Sequence, residues 1–337
     1  MRIALNGYGR IGRSFVRALL EREATGWQAP FELVAINDVG KAEDLFYLTR
    51  YDTTHGPLLE PVELVDGALR LGQHSPKLLE HSRAQDCPWA DFDVDVVLEC
   101  TGAFRAYDDA KKHLTAGAGA VIVGAVPFDH ADDIVVFGVN HQGVTVSNKV
   151  VSATSCTTHC ITPLLAILDK HFGVEQVLMK EVHAYTSDQS LLDHVHRDLR
   201  RGRAAAQNIV PTTSSAIGAV QKVLPQLDGR ISGDSIRVPT LNVALVDLTL
   251  KLGNTPSAAE LDALFEKESE LSDGVIGFNN EPLVSSDFNH RSESAIYDAT
   301  QTRVQGDLVH IVAWYDNEWG YANRLIDWLA HLGNTND

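Results

Sequence analysis

The stretch Asn6–Gly12, NGYGRIG, decides the fold of the first half of the chain. It follows the apolar run RIAL and opens a helical pattern of apolar side chains. Gly7, Gly9 and Gly12 allow a tight turn, a close approach of the backbone to a pyrophosphate, and close packing of helix on strand. Free N–H groups at the helix start attract the anion. The pattern predicts a dinucleotide-binding unit; the alternative is a tight turn without a ligand.

Asp38 strengthens this interpretation, because it ends the second strand pattern, FELVAIND. A carboxylate at this position accepts hydrogen bonds from both ribose hydroxyls of an adenosine and repels a 2′-phosphate. With strand, helix and acidic residue all in place, the sequence predicts NAD as the cofactor and favours it over NADP.

The charge balance narrows the range of partners. The 337 residues are 44% hydrophobic and 22% charged, which is typical of a globular protein of one large or two ordinary domains. With 28 basic against 45 acidic residues and a net charge of −17, the chain has no general basic surface for nucleic acid or anionic lipid. We expect neither as a partner, so any anionic ligand must be held by a local cluster.

The compartment is predicted from the absence of targeting signals. The amino terminus enters a strand pattern without a charged leader, and no apolar run reaches the roughly 18 residues of a membrane span. Four cysteines, at 87, 100, 156 and 160, are too few and too unevenly placed for a disulfide framework. We therefore expect a soluble, cytoplasmic protein with reduced thiols.

The sequence pattern changes near residue 156. Before it, short β-branched runs alternate with helical or turn segments, which is typical of a parallel α/β sheet: Arg2–Leu5, Glu32–Ile36, Val94–Leu98, Ala120–Val123 and Ile134–Val139. After it, a helical pattern is followed by longer strand-like runs, which predict an α+β domain with a mainly antiparallel sheet: helix Thr157–Phe172, then Val177–Val182, Ser235–Val238, Val243–Leu252 and Val309–Trp314. We predict a Rossmann-type NAD-binding domain over residues 1–155, completed by a C-terminal helix at 318–337, and a catalytic domain over residues 156–317.

The stretch SATSCTTHC, residues 152–160, contains two of the four cysteines. Cys156 falls at a predicted helix amino terminus, where the helix dipole stabilises a thiolate and lowers its pKa. A metal site would need further ligands, and no CxxC or HExxH pattern accompanies the pair. A disulfide to Cys160, four residues on, would close only a small loop. The favoured interpretation is one reactive thiol, Cys156, with Cys160 as a buried companion and no metal.

A cysteine nucleophile needs a proton acceptor, and His183, at the end of an apolar strand pattern, is the candidate. The alternative is a core histidine with satisfied hydrogen bonds. Residues 198–206, DLRRGRAAA, form a basic cluster in an acidic chain, and Arg237 stands apart in SIRVPTLN. These guanidinium groups either line a solvated face or bind phosphate oxygens in a bidentate fork.

The motifs together resemble a known family along nearly the whole chain: NGYGRIGR, AIND, YDTTHG, ECTG, GVNH, SCTTHC, HAYTSDQ, DLRRGRAAAQNIVPTT, RVPTLNV, PLVSSDFNH and WYDNEWGYANRLID. The sequence is similar to the phosphorylating glyceraldehyde-3-phosphate dehydrogenases and to their near relatives, the erythrose-4-phosphate dehydrogenases. Many motifs in the right order are far more specific than any one of them.

The resemblance implies a mechanism. Cys156 would form a thiohemiacetal with the aldehyde of an aldose phosphate, and His183 would accept and later return the proton. Hydride transfer to the nicotinamide would give a thioester, and inorganic phosphate would release 1,3-bisphosphoglycerate.

The resemblance also implies roles for further residues. For the cofactor, Arg10 and Ile11 would line the pyrophosphate, Thr101 would lie near the adenosine half, and Asn317 would hold the carboxamide with Tyr321 nearby. Thr186 and Arg237 would bind the substrate phosphate. The site for inorganic phosphate would comprise Arg201, Ser155, Thr157, Ser214 and Ser215. The family likeness further implies a homotetramer in which residues 184–208 approach a neighbouring subunit.

Three positions depart from the family pattern. His159 replaces the common asparagine of SCTTNC, either altering the surroundings of the thiol or packing neutrally. The loop TTSSAIGA at 212–219 replaces the usual TTTGAAKA, so the phosphate site is changed. Residues 193–196 lack a proline found in many NAD-specific members, which leaves dual use of NAD and NADP open.

Two other functions remain as alternatives. One is erythrose-4-phosphate dehydrogenase, in which water hydrolyses the thioester to 4-phosphoerythronate. The other is a non-catalytic NAD-binding protein. HAYT, where erythrose-4-phosphate dehydrogenases typically have HSAM, favours glyceraldehyde 3-phosphate as the substrate.

Overall fold

The computed structural model describes residues 1–335, which form two compact units. The first unit comprises Met1–Ser155 and the C-terminal segment from Ala322 onward, and the second comprises Cys156–Tyr321. The first division lies between Ser155 and Cys156. The second lies slightly beyond residue 317, where the sequence predicts the end of the catalytic domain.

The first unit is built on a nine-stranded sheet of order β10-β11-β9-β8-β1-β2-β7-β6-β5, with β3 and β4 paired separately. Its elements are β1 (Arg2–Asn6), α1 (Arg10–Ala24), β2 (Glu32–Asn37), α2 (Ala42–Arg50), β3 (Tyr51–Asp52), β4 (Gly56–Pro57), β5 (Val62–Val65), β6 (Ala68–Leu71), β7 (Lys77–Leu79), β8 (Val96–Glu99), α3 (Tyr107–Ala110), α4 (Lys112–Thr115), β9 (Ala120–Val123), β10 (Asp133–Ile134) and β11 (Val150–Ser152). Seven strands pair in parallel, as predicted: β10, β11, β9, β8, β1, β2 and β7. Strands β6 and β5 continue the sheet with antiparallel pairing.

The central strands of this sheet are buried because they are apolar on both faces. Strands β8 and β9, VVLE and AVIV, are fully buried, as a parallel sheet covered on both sides requires. Trp89 packs with Ala4, Val34 and Val97 in one cluster beneath the sheet. This buried core fixes the carboxyl ends of β1 and β2, and with them the turns that follow these strands.

One predicted strand is much shorter than expected. The run Ile134–Val139 was predicted to be extended, but β10 ends at Ile134. The side chain of Asn140 accepts the N–H of Val136 at 2.8 Å and donates to the carbonyl of Ile134 at 2.8 Å. These bonds fold the segment into a turn, and β11 supplies the next full strand of the sheet.

The second unit is built on an eight-stranded sheet of order β13-β14-β12-β15-β19-β17-β16, in which β18 also pairs with β19. Its elements are α5 (Cys156–Phe172), β12 (Val174–Ala184), β13 (Val210–Thr212), α6 (Ala216–Val223), β14 (Ile231–Val238), β15 (Ala244–Leu252), α7 (Ala258–Leu271), β16 (Ile276–Asn279), β17 (Ala295–Asp298), β18 (Arg303–Gln305), β19 (Leu308–Tyr315) and the start of α8 (Trp319–Thr335). The pairing is mainly antiparallel, with parallel exceptions at β12–β14 and β16–β17. The predicted fold class is confirmed.

Strand β12 is the element that positions the chemistry of this unit. Its sequence VEQVLMKEVHA alternates buried and exposed residues through the middle of the strand, so one face lies against the core. Glu181 and His183 are two residues apart and share that inward face.

The C-terminal helix predicted over 318–337 is observed as α8, Trp319–Thr335. Residues 336 and 337 lie outside the described residues. Among residues 1–335, no helix is both long and apolar enough to cross a membrane.

Candidate active site

Cys156 is the first residue of α5, and its sulfur lies 3.7 Å from Nε2 of His183. The helix brings the thiol over the inward face of β12, and the side chain of Cys156 is half-buried. Cys160, one turn further on, is fully buried. All four cysteines are free thiols.

The hydrogen bonds of His183 indicate which of its two ring nitrogens carries the hydrogen. Nδ1 lies 2.6 Å from the carbonyl oxygen of Ala184, an acceptor, and 3.1 Å from Nη1 of Arg237, a donor. We assign the hydrogen to Nδ1 because the contact with the carbonyl oxygen is the shorter one. Arg237 also donates to this carbonyl, at 3.3 Å. Nε2 of the neutral ring therefore carries the lone pair. The base is oriented to receive the proton of Cys156.

The register of the sheet explains why these groups meet. His183 is opposite Arg237 on parallel strand β14 and opposite Ala244 on β15. Ala244 in turn is opposite Tyr315 on β19. Across four adjacent strands, β14, β12, β15 and β19, this register brings an imidazole, a guanidinium and a phenol to one region of the sheet.

Glu181 is a functional candidate that was not predicted from the sequence. It is 2% exposed. Its Oε1 accepts a hydrogen bond from the Thr157 hydroxyl at 2.6 Å and a longer one from Tyr315 at 3.4 Å, and lies 3.9 Å from Nε2 of His183. An acidic residue two positions before the histidine, in an alternating strand, was the available signal, because both must point the same way.

The electrostatics of the thiol differ from the sequence expectation. Burial raises the pKa of Cys156 to about 11, and the negative charge of Glu181 adds to the increase; the Thr157 hydroxyl and Arg237 oppose it only partly. The expectation of a lowered pKa at the helix start was wrong, because desolvation and a buried carboxylate outweigh the helix dipole. Cys156 is a neutral thiol that needs a base.

His183 is likewise neutral. Burial lowers the pKa of this imidazole, and the charge of Arg237 lowers it further, while Glu181 opposes both. A neutral imidazole beside a neutral thiol is the state in which a proton can pass from sulfur to nitrogen as the sulfur attacks.

The residues assigned to the substrate phosphate lie on the same unit. Arg237 is half-buried beside His183, and its Nε is buried without a hydrogen-bond partner among the described residues. Thr186 follows the end of β12, in a turn closed by the N–H of Gln189 bonding to its carbonyl at 2.9 Å. The structure places Arg237 at the thiol–imidazole pair and Thr186 just beyond it along the chain.

Several of the residues assigned to inorganic phosphate already make hydrogen bonds or ion pairs with other side chains. The Thr157 hydroxyl is bound to Glu181, and the hydroxyl of Ser214 also helps to lower the pKa of that carboxylate. Arg201 pairs with Asp188 and donates to the Thr212 hydroxyl at 2.9 Å. Ser215 is exposed at the start of α6, and Ser155 directly precedes the nucleophile.

Among residues 1–335, the two β-branched residues with positive φ lie close in sequence or by hydrogen bonding to Cys156 and His183. Thr154, two residues before Cys156, has φ of 55°, and Val243 has φ of 73°. Branched side chains rarely adopt this left-handed region, and such strain accumulates at functional sites. The carbonyl of Val243 accepts the N–H of Ala184 at 3.3 Å, which fixes the end of β12 next to His183.

In the first unit, the turn after β1 has the shape of a dinucleotide cradle. Gly7 has φ of 96°, and a Cβ there would lie 2.5 Å from the backbone nitrogen of Thr101. Gly12 admits no Cβ because the carbonyl of Gly7 is too close, whereas the space beside Gly9 is open. Gly9 is also the N-cap of α1, with no side chain capping the helix start. Arg10 and Ile11, the first residues of α1, have their backbone at this start.

Asp38 is fixed beside the cradle. Its carboxylate accepts the backbone N–H of Tyr8 at 2.7 Å and that of Gly40 at 2.9 Å. Thr101 is anchored to buried Glu99 through its own N–H at 2.7 Å and its hydroxyl. Asp38 and Thr101 are therefore held in place by backbone hydrogen bonds, and carboxylate and hydroxyl oxygens are groups that can bind the ribose hydroxyls of an adenosine.

In the second unit, the buried carboxylate of Asp316 fixes the turn that contains Asn317. Asp316 accepts the N–H groups of Glu318 and Trp319 at 2.9 and 2.7 Å, and the amide of Asn242 at 2.7 Å. Asn317 is 7% exposed, and its Oδ1 has no hydrogen-bond partner among the described residues. A buried unpaired amide oxygen fits a carboxamide N–H donor such as that of nicotinamide.

Tyr321 and His159 pack together. Both are buried, and their rings meet edge to face with centroids 5.5 Å apart. The substitution at His159 thus contacts a residue that the sequence assigned to the nicotinamide side. Within residues 1–335, no group of three or more histidine, cysteine or acidic side chains is arranged to hold a metal ion.

Comparison with known proteins gives the same family over nearly the full length. Residues 1–107 match the NAD binding domain of glyceraldehyde 3-phosphate dehydrogenase, and residues 155–317 match its C-terminal domain. The glyceraldehyde-3-phosphate dehydrogenase of Pseudomonas aeruginosa is 44% identical, with 100% of this chain and 99% of the relative covered. The plasmid-encoded enzyme of Cupriavidus necator is 43% identical over 99% of each chain, and that of Xanthobacter flavus is 42% identical over 99% and 98%.

The fold and the match to an NAD-binding domain define an NAD-dependent dehydrogenase. More narrowly, the chain belongs to the glyceraldehyde-3-phosphate dehydrogenase family.

Proposed function

We propose that this chain oxidises glyceraldehyde 3-phosphate with NAD through a thioester on Cys156, and that inorganic phosphate releases the product as 1,3-bisphosphoglycerate. The observation that carries the proposal is the 3.7 Å contact between Sγ of Cys156 and the lone-pair nitrogen of His183. Relatives bearing the name glyceraldehyde-3-phosphate dehydrogenase support this choice of aldehyde.

In the first step, Sγ attacks the aldehyde carbon while Nε2 of His183 takes the thiol proton. The thiohemiacetal oxygen gains negative charge, and backbone N–H groups at the start of α5 stabilise it. Because both partners are neutral at rest, the proton moves together with the attack. Glu181, 3.9 Å from Nε2, stabilises the imidazolium that results.

NAD supplies the hydride acceptor when it is bound. Gly7, Gly9 and Gly12, with the backbone of Arg10 and Ile11, would hold the pyrophosphate. Asp38 and Thr101 would hold the adenosine half, and Asn317 the carboxamide, with Tyr321 nearby. On this assignment residues 1–155 with the C-terminal helix form the cofactor domain, and residues 156–317 the catalytic domain.

The substrate is oriented by its phosphate. Arg237 and Thr186 would bind this group, and the buried unpaired Nε of Arg237 supports a role as an anion donor. Arg201, Ser155, Thr157, Ser214 and Ser215 would bind the attacking inorganic phosphate.

We also propose a homotetramer. The segment 184–208 exposes four large apolar side chains at between 75% and 92% of their surface: Leu191, Leu192, Val195 and Leu199. Exposed apolar patches of this kind mark interaction surfaces. Size-exclusion chromatography with light scattering would test the assembly, and a monomer at micromolar concentration would contradict it.

A second candidate function is oxidation of erythrose 4-phosphate with hydrolysis of the thioester. The observation that favours it is the engagement of Thr157 and Ser214 by Glu181, since both hydroxyls belong to the proposed phosphate site. The two candidates share every step up to the thioester.

One experiment distinguishes the candidates. NADH formation is followed with each aldose phosphate, with and without inorganic phosphate. Faster turnover of glyceraldehyde 3-phosphate than of erythrose 4-phosphate, accelerated by inorganic phosphate, supports the first candidate. Faster, phosphate-independent turnover of erythrose 4-phosphate would replace it with the second, and no NADH from either sugar would refute both.

A further inference from the structure

Glu181 is a buried carboxylate in direct contact with two neighbours of the reactive sulfur. The Thr157 hydroxyl lies 3.9 Å from Sγ of Cys156 and 2.6 Å from Oε1 of Glu181. Nε2 of His183 lies 3.7 Å from the same sulfur and 3.9 Å from the same oxygen. Thr157 and His183 therefore each lie between the carboxylate of Glu181 and Sγ of Cys156, the atom that would carry the thioester.

The second oxygen of this carboxylate makes no hydrogen bond with the described residues, although the Ser214 hydroxyl is near enough to lower the pKa of the group. Oε2 is buried and has no hydrogen-bond partner among residues 1–335. A buried carboxylate oxygen left without a donor is costly, and native structures keep such groups where a ligand or water completes them. One water bound to Oε2 would satisfy it.

The same carboxylate changes which nucleophile the site favours. Thr157 donates its only hydroxyl hydrogen to Glu181, so it must give up this bond before it can donate to a phosphate oxygen. The negative charge of Glu181 also repels inorganic phosphate, whereas water is neutral. Burial raises the pKa of Glu181, but the charge of Arg237 and the hydroxyls of Thr157 and Ser214 help to hold this pKa below its usual value, so the carboxylate is ionised.

We propose that Glu181 is a catalytic base that activates water to hydrolyse the thioester on Cys156, so that the enzyme also releases a free carboxylic acid without inorganic phosphate. This activity rests on the proposed function, because it needs the thioester. Hydrolysis would be a second way to release the acyl group from Cys156. It gives Glu181 a role that neither the family comparison nor the sequence assigns.

The step is a balanced acyl transfer. Glu181 takes one proton from water while the oxygen bonds to the thioester carbon, giving a tetrahedral intermediate. The intermediate collapses by breaking the carbon–sulfur bond, and the electron pair stays on the sulfur of Cys156. The proton held by Glu181 returns to the thiolate by way of His183. Thioester and water become carboxylic acid and thiol, with no change of oxidation state.

The test uses the full-length enzyme with NAD and glyceraldehyde 3-phosphate in buffer free of phosphate and arsenate. The wild type is expected to turn over continuously and form 3-phosphoglycerate. Glu181→Gln is expected to give a burst of about one NADH per subunit and then to stop, with steady turnover reduced roughly 10²-fold or more, the usual contribution of a general base. Glu175→Gln is the matched control, since the same substitution is made on the same strand at an exposed residue.

The outcomes separate the proposals. A wild-type enzyme that stops after one NADH per subunit and resumes only with phosphate would overturn the hydrolytic role and leave the proposed function intact. Steady turnover by Glu181→Gln equal to wild type would also overturn it. No NADH formation by the wild type, either as a burst or as steady turnover, would refute the proposed function itself. Because the wild-type arm needs no variant, the hypothesis stays testable even when Glu181→Gln folds poorly.

Discussion

Removing the charge of Glu181 should make the resting thiol of Cys156 more acidic. The pKa of Cys156 is raised to about 11, with Glu181 the second cause after burial. A like charge at this range shifts a pKa by about 1–3 units, and each unit corresponds to about 1.4 kcal/mol between the two protonation states. Substituting Glu181→Gln keeps the volume and removes the charge. The pKa of Cys156 should therefore fall by about one unit or more.

The assay is alkylation by iodoacetamide in the absence of substrate, measured from pH 7 to 11. The thiolate alone reacts, so below the pKa the rate rises about tenfold for each unit by which the pKa falls. Burial raises the pKa of Cys87 to about 12 and also raises that of Cys100, which keeps both less reactive. Cys156→Ser identifies the signal, and Glu175→Gln controls for the substitution.

The sign of the shift is the decisive result. An alkylation rate for Glu181→Gln that equals or falls below that of the wild type at pH 8 would refute the electrostatic argument. It would mean that the carboxylate does not act on the sulfur, and that burial alone raises its pKa.

Three further predictions concern the nucleophile and the cofactor residues. Cys156→Ser should abolish NADH formation while NAD binding, measured by fluorescence quenching, persists; retained turnover would remove Cys156 as the nucleophile. Asp38→Asn should weaken NAD binding about tenfold and bring the affinities for NAD and NADP closer together, measured by titration calorimetry; unchanged discrimination would exclude Asp38 from the ribose site. Asp316→Asn removes charged acceptors from a buried turn, so thermal unfolding should show a loss of about 1.5–3 kcal/mol; an unchanged melting temperature would contradict the anchoring role.

Much of the fold was predictable because its signals are local. The strand, glycine turn and helix around Asn6–Gly12 are adjacent in sequence. Each glycine of this motif has its own steric role, so the motif can be identified from a single sequence. The run Ile134–Val139 was mispredicted because the side chain of Asn140 reaches back to the backbone of Ile134 and Val136. Propensity alone does not register such a side-chain bond.

The site was predictable in its residue types and only partly in its electrostatics. Cys156 and His183 were identified from sequence, and the register of β12 accounts for their meeting. The direction of the thiol pKa was not predictable, because it depends on burial and on Glu181, which is distant in sequence from Cys156. Contacts between separate strands and helices decide that balance, and a linear pattern does not contain them.

The alternation of β12 has a consequence for how this family can diversify. An inward side chain at position 181 takes no part in the backbone ladder, which connects β12 to β14 and β15 whatever that side chain is. Exchanging this one residue alters the charge beside the acyl group without changing the scaffold. With the hydrolytic role that we propose for Glu181, a single codon change would select between two products of one oxidation, while the capture of the aldehyde stays the same.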